Sequence, residues 1–229
     1  WGKNMKTLIK NGMIVSDSET YQADILIEDE KVKWIGTDLP KTDVDTVIDA
    51  EGKYVIPGAI DVHTHMDIDV GIARAVDDFY DGTVAAACGG TTSIVDHMGF
   101  GPAGVPLHYQ FNEYKKLTEG KAVIDYGFHG VAQHVDDDII AELETMAEDG
   151  IPSVKAYLTY GFKLNDAEVL QILKKMKEIG GVTAFHCENH ELVEYMKKKL
   201  VEEGKTAPIY HAKSRPNLVE AEAVERVLK

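Results

Sequence analysis

The stretch Gly58–Asp67, GAIDVHTHMD, decides how the rest of the chain is read. Ile60, Asp61 and Val62 have the character of a short buried strand. His63 and His65 follow two residues apart, so their side chains leave one face of it. Two neutral imidazoles on one rigid strand are half of a metal clamp, since imidazole is a common ligand for zinc and similar ions. A bare His-x-His is equally a pair of polar residues at a strand–loop junction, so further ligands have to come from elsewhere in the chain.

Downstream of this stretch, strand and helix patterns alternate. TSIVDHM (92–98), AVIDYGFHG (122–130), SVKAYLTY (153–160) and VTAFHCEN (182–189) read as strands. LHYQFNEYKKL (107–117), DDDIIAELETMAEDG (136–150), NDAEVLQILKKMKEIG (165–180) and a run to about Glu203 read as helices. Asn165 or Asp166 suits an N-cap and Gly180 a C-terminal stop. Such alternation calls for a parallel sheet. With the strands ending near His63, His97, His129, Tyr160 and His186 there are five βα units, with ligand-type residues at successive strand ends. A doubly wound sheet could use five, but the pattern better matches the mouth of a (β/α)8 TIM-like barrel, α/β in class. On that reading three further units are expected beyond Lys229.

Upstream, residues 5–57 differ in rhythm. MKTLIKNG, MIVS, ADILIEDE and KVKWIG are short β-rich runs separated by NG, SDSE and EDEK, which read as turns. This predicts a small β module over 5–57 and a partial barrel over 58–229. Trp1–Asn4, ahead of Met5, read as extraneous to the fold.

Composition bounds the partners. The chain of 229 residues is 44% hydrophobic and 28% charged, with a formal net charge of −15. That charge argues against nucleic acid and anionic membranes. No apolar run reaches 18 residues and no signal peptide is recognisable, so a cytoplasmic location is expected. Two cysteines, Cys88 and Cys187, suit reduced thiols better than a disulfide framework.

Two residues extend the clamp. Lys155 lies in an apolar strand run, and a lysine pointing into a barrel interior is costly unless its charge is paired or removed. Its ammonium either reaches a carboxylate or solvent, or the amine is carboxylated by CO2 to a carbamate able to bridge two metal ions. His186, at the end of its strand, is structural or a ligand on the same grounds as His63 and His65.

Taken in order, VIPGAIDVHTHMD (55–67), AAACGGTTSIVDHM (85–98), SVKAYLTY (153–160), VTAFHCEN (182–189) and PIYHAKSRPNLVEAEAVERVL (208–228) resemble the amidohydrolase superfamily, and within it the hydantoinase and dihydropyrimidinase group. The resemblance spans the chain after Met5. It implies a TIM-like barrel with a small β-sandwich built mostly from the N-terminal segment. It also implies two divalent metal ions, usually Zn2+. Carried over, His63 and His65 hold the more buried metal, carboxylated Lys155 bridges both, and His186 binds the more exposed one. Tyr160 matches the tyrosine that donates to the oxyanion at the attacked carbonyl. The implied reaction is ring opening of a cyclic ureide or imide, hydantoin or dihydropyrimidine, to an N-carbamoyl amino acid by a metal-bridging hydroxide.

The family pattern also uses a later histidine and an aspartate that serves as acid and base; both are expected beyond residue 229. Allantoinase or dihydroorotase chemistry, a non-catalytic dihydropyrimidinase-related protein, and an inactive fragment are the alternatives. Family members are commonly tetramers, so a homo-oligomer is implied. His97 and His129 read as packing or pocket-lining residues, and His108, His134, His190 and His211 as solvated or capping. MGFGPAG (98–104) reads as a loop over the mouth, without the order of a nucleotide fingerprint.

Overall fold

The computed structural model describes residues 5–229; Trp1–Asn4 lie outside the described residues. The chain divides into two compact units, one ending at Gly58 and the other running from Ala59 to Lys229.

The first unit is one five-stranded sheet. Its strands are β1 (Lys6–Val15), β2 (Thr20–Glu28), β3 (Lys31–Gly36), β4 (Thr46–Asp49) and β5 (Tyr54–Val55). The order is β3-β2-β1-β4, with β5 also pairing β1. β1 runs antiparallel to β2 and parallel to β4 and β5. Leu8 is fully buried, and Ile14, Ala23 and Ile25 form a small core.

The Asn11–Gly12 pair, expected as a turn, lies inside one continuous strand as a bulge. The register shifts between Ile9 and Gly12, and Asn11 takes a positive φ of 61°. Buried Asp24 holds the bulge, accepting from the Asn11 backbone N–H (2.9 Å) and pairing with Lys10 (3.1 Å). Burial pushes the Asp24 carboxyl up, but these donors outweigh it and leave it below the ordinary carboxylate value. A side chain at Gly12 would run into Val55.

The second unit repeats strand and helix: β6 (Ala59–Thr64), α1 (Phe79–Cys88), β7 (Thr91–His97), α2 (Leu107–Thr118), β8 (Asp125–Val131), α3 (Asp137–Glu148), β9 (Ser153–Tyr157), α4 (Asp166–Glu178), β10 (Val182–His186), α5 (His190–Glu202), α6 (Ile209–Lys213) and α7 (Asn217–Leu228). The sheet order is β10-β9-β8-β7-β6 with every pairing parallel. Neighbours in space are therefore neighbours in sequence, as five consecutive units of a TIM-like barrel require. Its core joins Phe79, Ile94 and Phe128 to Met146, Val154, Ala156 and Ile172.

Local chemistry fixes the helix starts. Asp78, Asp136, Asn165 and Asn189 cap α1, α3, α4 and α5 with their side chains, and Asn165 with Glu168 completes a capping box. Several segments differ from the sequence reading, β10 among them, which stops at His186 rather than 189. β8 starts at Asp125 rather than 122, because the Val123 N–H is taken by the Thr83 hydroxyl on α1. β9 stops at Tyr157, and the chain bends through Thr159 to reach Tyr160 at φ 74°. Beyond β7, Met98 and Gly99 are buried, so the segment expected as a loop over the mouth begins as packed structure.

Candidate metal centre at the strand ends

The sheet register sorts the candidate residues by face. His97 pairs with His129, Val131 with Lys155, Lys155 with Ala184, and Tyr157 with His186. Thr64 pairs with Asp96, so His63 shares the face of His97. One side of the sheet thus carries an imidazole or an amine from every strand.

His63 and His97 have ring centroids 4.1 Å apart, His63 and His65 5.2 Å, and His65 and His97 5.4 Å. His129 stacks on the other side of His97 at 4.3 Å. Its Nε2–H donates to the Val62 carbonyl (2.9 Å), and its Nδ1 accepts from the Ser153 hydroxyl. That assignment follows from the carbonyl, which can only accept. Both His129 nitrogens are therefore engaged, whereas Nδ1 of buried His97 has no partner.

Lys155 is 7% exposed and stands beside this cluster, with its Nζ 5.5 Å from the Tyr157 ring centroid. Burial lowers its pKa, and no carboxylate among the described residues offsets that. Burial, then the Lys155 charge, lowers His63; burial, then the His63 charge, lowers His65. His97 is depressed to about 3, by burial first and then by the charges of His129, His63, Lys155 and His65. Asp61 acts the other way on His63 and Cys187 on Lys155, but no carboxylate pairs with the amine.

Asp96 works from the opposite face. Its Oδ2 accepts from the Thr64 hydroxyl (2.7 Å) and the Met66 N–H (2.8 Å), anchoring the segment that carries His63 and His65. Burial raises its pKa to about 6, and its Oδ1 has no partner.

His186 belongs to a second group. Its Nε2 lies 2.7 Å from Glu188 and 3.4 Å from the Tyr160 hydroxyl. Tyr157 stands between the groups, its ring 5.8 Å from that of His186. Among the described residues no three His, Cys, Asp or Glu side chains converge as a metal-binding group. The sequence candidates share a face, and both Lys155 (Nζ at 5.5 Å) and His186 (ring at 5.8 Å) approach the Tyr157 ring. The fit to a metal rests on donor chemistry: a nitrogen-rich cluster with an orphaned His97 Nδ1 and a buried amine without a carboxylate partner suits a divalent cation. The cluster fits that group.

A cavity of about 1020 Å³ adjoins His65. Phe100, Tyr157, Tyr160 and Phe162 line it, with Phe100 and Phe162 stacked at 3.6 Å.

The family model described as "Amidohydrolase family" covers residues 54–224. The chain belongs to the amidohydrolase family. The amidohydrolase "D-phenylhydantoinase" of Escherichia coli O1:K1 is 50% identical over 224 residues, covering 98% of this chain and 49% of that protein. Among solved structures, dihydropyrimidinase from Brevibacillus agri NCHU1002 matches with a TM-score of 0.94 and 44% identity, over 98% of this chain and 49% of the other. L-hydantoinase from Arthrobacter aurescens matches with a TM-score of 0.84 and 28% identity, over 97% and 49%. The chain thus spans about half the length of these amidohydrolases.

Several residues depart from their sequence reading. His97, expected as packing or pocket-lining, sits at the centre of the imidazole cluster; its place at a strand end, like that of His63, is the signal for it. His108 is not simply solvated: its two nitrogens lie 2.8 Å from Glu142 and 3.1 Å from Asp149, tying α2 to α3. His190 meets the Thr159 hydroxyl at 3.2 Å. Glu188 and Arg215 were quoted in motifs but given no role. No helix among the described residues is long and apolar enough to cross a membrane.

Proposed function

We propose that this chain carries the first five βα units of a metal-dependent cyclic amidase that opens hydantoin or dihydropyrimidine rings to N-carbamoyl amino acids. The observation that carries the reading is Lys155: a buried amine with no carboxylate partner, offset only by the Cys187 thiol and set against His63, His65 and His97. Such an amine is costly as an ammonium and favourable once carboxylation converts it to an anionic ligand.

In this reading His63, His65, His186 and the Lys155 carbamate hold two divalent ions, with zinc the favoured identity for nitrogen and oxygen donors. When bound, such ions supply a nucleophile at neutral pH and polarise the scissile carbonyl. The chain's own residues then bind and orient the ring. Tyr160 donates its phenolic proton as a hydrogen bond to the oxygen that becomes negative. The aromatic cavity beside His65 excludes water from the substrate's apolar part. Protonation of the leaving nitrogen falls to an aspartate of the longer protein. A cytoplasmic, homotetrameric enzyme is part of the same proposal.

The test is an assay of the longer protein that carries this chain, with and without chelator, on hydantoin, dihydrouracil, allantoin and dihydroorotate. Chelator-sensitive opening of the first two supports the proposal. Opening of allantoin or dihydroorotate instead would move it to those relatives, and no opening of any would overturn it.

A further inference from the structure

The segment Pro208–Leu228 carried part of the family resemblance, yet the proposed reaction gives it no task. Its Arg215 reaches back to the end of β10. Arg215 Nε lies 3.0 Å from Glu188 Oε1, and the other oxygen of the same carboxylate, Oε2, lies 2.7 Å from His186 Nε2. Both relay side chains are sheltered, with 19% of the arginine and 13% of the glutamate exposed. Arg215 is itself held: its Nη1 donates to the Ser214 hydroxyl (3.0 Å) and meets the His211 carbonyl and Nδ1 at 3.4 Å. The neighbouring residue is pinned too, since the Asn189 N–H donates to the Val219 carbonyl (3.0 Å) and its Nδ2 to Glu222 (2.6 Å).

A carboxylate only accepts hydrogen bonds, so at 2.7 Å it requires the proton on His186 Nε2. The neutral ring then keeps its lone pair on Nδ1, which makes no hydrogen bond among the described residues. Arg215 matters because a lone sheltered carboxylate would be costly, whereas one shared with a guanidinium keeps its charge and its orientation. Metal-binding histidines are commonly set in this way by a carboxylate on their second nitrogen.

We infer that Arg215 and Glu188 form a positioning relay that fixes His186 as the Nε2–H tautomer and so presents Nδ1 to a divalent cation. The inference rests on the reading of His186 as a ligand. It gives the Pro208–Leu228 segment a purpose: the bend between α6 and α7 carries the guanidinium that orients a ligand on β10.

The experiment uses the full chain labelled with 15N-histidine, together with Glu188→Gln, Arg215→Gln and His186→Asn. Ring tautomers are read by long-range 1H–15N NMR without metal, and Zn2+ affinity is read in chelator-buffered solutions. The unaltered chain should show His186 as Nε2–H. Glu188→Gln can present an amide N–H in place of an acceptor, so it should shift the ring toward Nδ1–H and weaken Zn2+ binding by about 10–100-fold. Arg215→Gln should move both readouts in the same direction by less. An Nδ1–H ring in the unaltered chain overturns the relay even if every variant misfolds. A loss of Zn2+ in His186→Asn without one in Glu188→Gln overturns the relay alone. Unchanged Zn2+ binding in His186→Asn overturns the relay together with the ligand reading it rests on.

Discussion

His63 on β6 and His97 on β7 hold their rings 4.1 Å apart, centroid to centroid, at the head of adjacent parallel strands. Two rings this close, with Lys155 beside them, are tolerable only as neutral imidazoles, and burial keeps both below the usual histidine pKa.

Lys155 should trade stability for binding. In metal-free, CO2-depleted buffer, Lys155→Met removes a buried amine that no carboxylate pairs with and should raise unfolding stability by about 1–3 kcal/mol. The same variant should lose bound metal by elemental analysis and lose ring opening in the longer protein. A variant less stable than the parent would mean that the amine is well solvated or paired.

Asp96 should give a pH signature of opposite sign to that of a surface carboxylate. Its folded pKa, about 6, is above the ordinary aspartate value of 3.8, so its stabilising contribution is complete below about 3.8 and is lost as pH rises through about 6. Asp96→Asn has no charge to bury, so its stability relative to the parent should climb between pH 4 and pH 8, by on the order of 3 kcal/mol. Thermal unfolding of both proteins across that range checks it; a pH-independent difference would contradict the buried charge.

Tyr160 separates backbone from phenol. Its φ of 74° is a left-handed conformation that costs a non-glycine residue on the order of 1 kcal/mol or more. Tyr160→Phe should keep stability within about 0.5 kcal/mol and lower kcat on hydantoin by about 10²–10³ in the longer protein. Tyr160→Gly should show the same catalytic loss with relief of the backbone strain. Equal kcat in Tyr160→Phe would remove the phenol from the reaction.

How far the chain could be read from its letters follows from the range of the forces involved. The strand and helix alternation of the second unit was legible because each period reflects one face meeting one core, and Asn165 announced α4 through a cap that is local in sequence. The Asn11–Gly12 pair misled because a bulge and a turn use the same positive-φ chemistry, and only Asp24, thirteen residues away, decides between them. His63, His65 and Lys155 could be named in advance from strand position. The Arg215–Glu188–His186 contacts could not, since they depend on how the end of β10 and the bend between α6 and α7 meet in space.

The most direct test is anomalous X-ray diffraction at the zinc edge on crystals of the longer protein grown with zinc and bicarbonate. The account predicts two peaks roughly 3.5–4 Å apart, bridged by a carbamate on the Lys155 nitrogen, with His63 and His65 on one ion and His186 on the other. An unmodified Lys155 amine with no metal peak beside it would contradict the account.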